Sequence, residues 1–201
     1  YHHGNLKESL VQTAIQMIEE RREAAFTIRE LAAAVGVSHA AAYRHFRSKR
    51  ELLAEIAGEG FVGLQTEFDA SLERNAGENC RTRIKGLGDA YIRYALEHPG
   101  HYRAMFHAEF HDADDFPAKK EAAERTFDSL LNLVREGISR GELVNRPPAP
   151  LATAIWSAVH GMSLLFLDGH IHSPPGPREI IDLLLERLDA GLALRPQGSV
   201  D

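Results

Sequence analysis

The sequence predicts an all-α protein: an N-terminal three-helix helix-turn-helix domain over residues 1–50, followed by a helical bundle over residues 51–201. Three observations carry this. Apolar residues recur at three- and four-residue spacing along most of the chain, as they do on one face of a helix. Helix start and stop signals fall between these runs, including two Ser/Thr-x-x-Glu boxes. No segment shows the apolar–polar alternation of a half-buried strand.

Tyr1, His2, His3 and Gly4 form a polar arm that would either touch DNA or fray, as termini do. Leu6, Leu10 and Ala14 on one row, with Val11, Ile15 and Ile18 on the next, predict an amphipathic first helix ending near Arg22. Ile28, Leu31, Ala32 and Val35 give a short second helix, opened by the Thr27–Glu30 capping box and closed at Gly36. Ser38 caps a third helix, on which Ala42 and Phe46 share a face, and Ser48 with Glu51 opens a fourth. Two short helices around a tight turn form a helix-turn-helix, whose second helix is the one expected in a DNA major groove. Small Ala40 and Ala41 would let its backbone approach base edges. His39, Tyr43, Arg44, His45, Arg47 and Lys49 surround them with donors for phosphates or bases. A helical hairpin with a solvated basic face is the alternative. It leaves the coincidence of two boxes, a glycine turn and clustered donors unexplained.

The fourth helix carries Leu52, Leu53, Ile56, Phe61, Leu64, Phe68 and Leu72 and is expected to reach about Arg74. Its Gly58, Gly60 and Gly63 spell G-x-G-x-x-G, but no strand precedes them, so a dinucleotide site is excluded. They read instead as a softened helix interior. Cys80 to His98 follows as a helix burying Ile84, Leu87, Tyr91, Tyr94 and Ala95. Tyr102, Met105, Phe106 and Phe110 mark a short aromatic helix, and 111–117 an acidic loop. Phe127, Leu130, Leu131, Val134 and Ile138 build a long helix stopped near Gly141, and Arg146 to Pro150 reads as a rigid connector. Two further helices are expected at Leu151 to about Gly169 and Arg178 to about Leu194. The former is apolar nearly all round and should be buried on more than one side. The tail after Arg195 is expected to be disordered.

The chain is 44 % apolar and 26 % charged, within the range of soluble globular proteins. Its one cysteine, Cys80, excludes an internal disulfide, fits a reducing cytoplasm and reads as structural. Neither a signal-peptide pattern nor an uninterrupted apolar run of membrane-spanning length is evident, so no membrane role is expected. The net charge of −6 argues against nucleic acid until it is divided. Residues 1–50 hold eight Lys/Arg against five Asp/Glu, leaving fifteen against twenty-four in the remainder. A mildly basic head on an acidic body would orient the molecule on a polyanion.

The run from Asn5 to Leu53 resembles the N-terminal domain of the TetR family of bacterial transcriptional repressors. The resemblance rests on Thr27, Ile28, Leu31, Ala32, Val35, Gly36, Val37, Ser38, Tyr43, His45, Phe46, Lys49 and Leu52. One position departs: Ala42 stands where the family usually has a larger apolar residue. The later half resembles the family's subgroup with a Trp…His-Gly signature, here Trp156, His160 and Gly161. The resemblance implies a regulatory and dimerisation domain, a homodimer made by the last two long helices, a palindromic double-stranded DNA operator and a small-molecule effector. It implies no enzyme activity and no cofactor. Roles follow within the head: Thr27, Ser38, Tyr43, His45 and Lys49 to phosphates, and His39, Ala40, Ala41 and Arg44 to base edges.

Trp156 and His160, at i and i+4, must face the same way. With Tyr102, Phe106, Phe110, Phe127 and Leu131 they would line an apolar pocket with one polar handle. Otherwise they are packed core in which His160 bonds a backbone carbonyl. The competing function is a metal-dependent hydrolase using His107 and His111 with Asp112 or Asp114. H-A-E-F-H approaches H-E-x-x-H, but Glu109 falls one place too late to act as its base, and surface histidines remain the plainer account.

Overall fold

The computed structural model describes residues 6–108, 116–171 and 177–193. Among these the regular structure is helical, with no strand: α1 Leu6–Arg21, α2 Ile28–Val35, α3 His39–His45, α4 Lys49–Arg74, α5 Cys80–Glu97, α6 Pro99–Met105, α7 Pro117–Ser139, α8 Pro148–Leu167 and α9 Pro177–Leu192. The polar arm, Phe110, the acidic loop at 111–115 and the tail after Arg195 lie outside the described residues. Two compact units form, one of Tyr1–Gly63 with Glu97–Glu124 and the other of Leu64–Leu96 with Arg125–Asp201. By packing, therefore, α4 is shared between the units and α6 belongs to the first.

In the first unit the local signals do what their chemistry dictates. The Thr27 hydroxyl accepts from the Glu30 N–H at 3.1 Å, and the Glu30 carboxylate accepts from the Thr27 N–H at 2.7 Å. The bond from the Thr27 N–H first, and that from the Thr27 hydroxyl to the same carboxylate second, hold the Glu30 carboxyl below its ordinary range. Gly36 takes φ 78°, a left-handed conformation that only a residue without Cβ adopts freely, and ends α2. Ser38 Oγ accepts from the Ala41 N–H at 3.2 Å and caps α3. At α4 the box is modified: Ser48 Oγ accepts from the Glu51 N–H, but the Glu51 carboxylate returns to the N–H of Arg47, not to that of Ser48. Leu10, Ala14 and Ile18 of α1, Leu31 and Ala32 of α2, and Leu52, Leu53 and Ile56 of α4 are buried as their core. Ala42 and Phe46 are buried with them, so the smaller residue at position 42 is still enclosed.

The helix interior of α4 is not uniformly softened. An added Cβ at Gly58 would meet nothing within 4 Å, whereas one at Gly60 would lie 2.7 Å from Met105 Sδ and 3.3 Å from His101 Cβ. Gly60 is the slot into which α6 seats, a packing role that the sequence pattern alone did not distinguish from flexibility.

In the second unit, α5 buries Ile84, Leu87, Tyr91, Tyr94 and Ala95 as predicted. Arg81 Nε donates to Asp189 at 2.9 Å, and Arg178 Nη1 to Asp89 at 2.6 Å, tying α9 to α5 at two points along its length. Cys80 is fully buried and its thiol is pushed up to about 11, chiefly by that burial, which fits a structural residue and not a reactive one. The expected rigid connector is shorter than predicted, because α8 already begins at Pro148; proline suits the first turn, where its missing N–H has no helical partner to lose.

Two expectations for α8 are corrected. It carries no Asp, Glu, Lys or Arg over 20 residues and is, by length and composition, the one described helix that could cross a membrane. Nor is it buried on more than one side. Ala152, Ile155, Val159 and Ser163 form a single buried row, and Leu165 stays 45 % exposed. On α9 the same holds: Ile181, Leu185 and Leu192 are buried while Leu183 is 52 % exposed.

Candidate functional site

In the first unit the helix-turn-helix core turns one set of side chains outward. Thr27, Ser38, His39, Ala40, Tyr43, Arg44 and His45 are exposed, and Ala41 and Lys49 are half-buried. Tyr43 keeps 50 % of its surface accessible, so its ring and hydroxyl are open to solvent. Because α3 is anchored on its opposite face by Ala42 and Phe46, its donors are presented from a fixed backbone. The Lys49 ammonium lies over the Phe26 ring at 5.6 Å from its centroid, and Lys7 covers Phe46 at 5.8 Å. Phe26, immediately before the α2 cap, was not singled out from the sequence; an apolar residue at that position is a known helix-start signal that could have found it. The Thr27 hydroxyl also lies 3.0 Å from the Glu30 carboxylate, so its proton is engaged within the capping box.

The residues predicted to line a pocket fall into two groups. In the first unit Tyr102, fully buried, packs against Phe106 at 5.1 Å between centroids, and Phe106 meets Phe61 edge-on at 5.7 Å. In the second, Phe127 meets Trp156 edge-on at 6.1 Å and Trp156 tilts over His160 at 5.5 Å. Leu131 is buried, whereas Phe127, Trp156 and His160 are each half-buried. Phe110 lies outside the described residues.

At Nδ1, His160 meets a side chain and not a backbone carbonyl. Tyr91 Oη stands 2.8 Å from His160 Nδ1, and Trp156 Nε1 donates to the same oxygen at 3.1 Å. Sequence reasoning took Tyr91 for core, which its 4 % exposure bears out, but its hydroxyl joins the polar handle. Nothing local could have revealed this, since the two residues are 69 apart. Burial holds the His160 imidazole below its ordinary value of 6.5.

Among the described residues no group of three or more His, Cys, Asp and Glu side chains could hold a metal ion. His107 is half-buried beyond α6, and His111, Asp112 and Asp114 lie outside the described residues.

Comparison with known proteins places these features. A family model described as "Bacterial regulatory proteins, tetR family" matches residues 10–56, the helix-turn-helix and its flanks. A second, "Tetracyclin repressor-like, C-terminal domain", matches 84–188 and so includes Tyr91, Trp156, His160 and Gly161. The chain is 26 % identical over 165 residues to the nucleoid occlusion factor SlmA of Marinobacter nauticus, covering 82 % of this chain and 81 % of that protein. It is 26 % identical over 190 residues to the HTH-type transcriptional regulator YerO of Bacillus subtilis, covering 91 % of this chain but 63 % of the other. A structure from Rhodococcus sp. RHA1, of a protein of unknown function, superposes with a TM-score of 0.81 at 27 % identity, covering 96 % of this chain and 98 % of that one. Of these, YerO is described as a transcriptional regulator, and the metal-dependent hydrolase finds no support among them. With its helix-turn-helix and about three quarters of its length matched by the two family models, the chain belongs to the TetR family and is a DNA-binding transcriptional regulator, not an enzyme.

Proposed function

We propose that the chain is a ligand-responsive repressor that binds a palindromic operator as a homodimer and is released by a small molecule. The observation that carries the DNA half is the exposed donor set on α3 and its borders, standing on a buried hairpin core. Tyr43, His45, Lys49, Ser38 and Thr27 are assigned to phosphates, with Thr27 and Ser38 acting largely by fixing their helix starts. His39, Ala40, Ala41 and Arg44 are assigned to base edges.

The dimer is supported by the uncovered apolar flanks of α8 and α9, where Leu165 and Leu183 are left outside the core. Apolar side chains left exposed on two helices can serve as a partner surface, and a second copy presents the same helices. This reading also accounts for the membrane-like composition of α8 without a membrane, and it places the protein in the cytoplasm with its DNA. A two-fold dimer would match half-sites about one DNA turn apart, ~34–36 Å. The effector half is supported by Phe127, Trp156 and His160, aromatic surface with one polar handle. Release is then a population shift: the small molecule favours a conformation whose recognition helices no longer match the half-site spacing, and operator affinity falls by its differential affinity for the two states.

The test is selection of bound fragments from a genomic library at low and moderate salt. The expected result is an enriched palindrome that is lost as salt rises. A folded, dimeric protein that enriches nothing, before and after refolding from denaturant to strip any ligand, would refute the reading.

A further inference from the structure

Phe26 is only 5 % exposed, yet its ring does more than fill the core of the first unit. The Lys49 ammonium lies 5.6 Å from the ring centroid, within the range of a cation–π contact. The two residues stand on separate helix starts. Phe26 directly precedes Thr27, whose cap bonds of 3.1 and 2.7 Å fix the beginning of α2. Lys49 is the first residue of α4, where Ser48 Oγ accepts from the Glu51 N–H at 3.1 Å. Both ends of the contact are therefore carried on backbone that is fixed locally.

The consequence concerns how the cation meets DNA. Lysine carries its charge on a long flexible stem, and ordering that stem against a phosphate costs affinity. A ring that already holds the ammonium removes part of this cost before DNA arrives. The ring is uncharged, so it restrains the cation without cancelling the charge that a phosphate reads. The ammonium has three N–H donors pointing in different directions, and one ring face does not use them all. We propose that Phe26 is a positioning residue for DNA binding: its ring holds the Lys49 ammonium at the start of α4, so that the cation meets a backbone phosphate already ordered. This rests on the assignment of Lys49 to phosphate in the function proposed above.

The test uses the full chain with Phe26 replaced by mono-, di- and trifluorophenylalanine. Fluorine withdraws charge from the ring face in steps and weakens its attraction for a cation, while the shape and apolar character of the ring are nearly kept. The probe is duplex DNA of scrambled sequence at low salt, because a phosphate contact does not depend on sequence. Affinity should fall in steps, reaching a loss of about threefold per protomer with the trifluoro ring, the worth of one long side chain left to be ordered on binding. In a Lys49→Ala background the same series should have no effect, whereas a ring acting only as core would keep its effect there. A flat or rising series, with Lys49→Ala alone still weakening binding, overturns the proposal and leaves the phosphate assignment standing. An equal loss in both backgrounds assigns Phe26 to the core and overturns the proposal too. A Lys49→Ala variant that binds as the wild type does overturns the phosphate assignment and the proposal with it. Should the fluorinated chains fail to fold, 1H NMR of the wild type decides. The Lys49 ε-methylene signal, identified by its absence from Lys49→Arg, should be moved upfield by the ring, and an unshifted signal overturns the proposal.

Discussion

At the scale of single residues, the proposed function divides the donors of the helix-turn-helix into those that would read sequence and those that would hold the DNA backbone. Arg44→Ala should cost roughly 1–3 kcal/mol against the operator and relax discrimination at the base pair it reads. Lys49→Ala should weaken all sequences alike and reduce the salt slope by about 0.9 per protomer, because one phosphate contact is lost. Binding isotherms on operator and scrambled DNA at several salt concentrations separate the two; a uniform loss for Arg44→Ala would reassign it to phosphate. A second residue-scale prediction concerns pH. Burial holds both His101 and His160 below their ordinary value of 6.5, and the neighbouring His98 adds to the effect at His101. His101 also faces Glu59 at 3.8 Å, whose carboxyl burial pushes upward. The unfolded chain therefore takes up protons at these rings at higher pH than the folded one. Stability should be intact above about pH 6.5 and fall as pH drops through that value toward the folded pKa. Thermal melts from pH 8 to 5 should show this decline, and His160→Gln or His101→Gln should flatten it; an unchanged profile in both variants would assign the decline to other groups.

At the scale of elements, α4 shows how the same residue type serves opposite ends. Gly58 faces open space, so Gly58→Ala should stabilise by about 1 kcal/mol through the removed glycine cost in a helix interior. Gly60 receives Met105, and Gly60→Ala must displace it, for a loss of about 1–3 kcal/mol. Urea unfolding of the two variants, one residue pair apart, compares propensity with packing directly. If both stabilise, Met105 moves aside at no cost and the slot is not specific. α2 makes the complementary point: its start and stop, the Thr27–Glu30 box and Gly36, were legible in the sequence because each is closed within three residues or one dihedral angle. The start of α8 was misplaced, since consecutive prolines read equally well as a connector or as a helix's first turn.

At the scale of the molecule, the mildly basic first fifty residues on an acidic remainder favour one orientation on DNA, and in the proposed dimer the exposed apolar residues of α8 and α9 would meet the second copy. Leu183→Glu should leave the helical content unchanged while sedimentation shifts from dimer to monomer and operator binding is lost with the second half-site contact. A Leu183→Glu variant that stays dimeric would place the dimer face elsewhere.

What the sequence by itself determined is what short-range physics decides. The helical period, the caps, the left-handed glycine, the outward donors of α3 and the family motif all involve residues within a turn or two of one another. Only the tertiary structure decided which buried ring His160 bonds, that α6 packs with the first unit, that Gly60 is a slot while Gly58 is not, and that α8 is covered along one row. Each of these depends on which of many equally apolar faces come to lie against each other. An amphipathic pattern says that a face will be buried, but dispersion and burial are nearly indifferent to the identity of the neighbour. The partner is chosen by shape, chain connectivity and the few polar groups that must be satisfied together, as Trp156, Tyr91 and His160 are, and those terms exist only once the chain has folded.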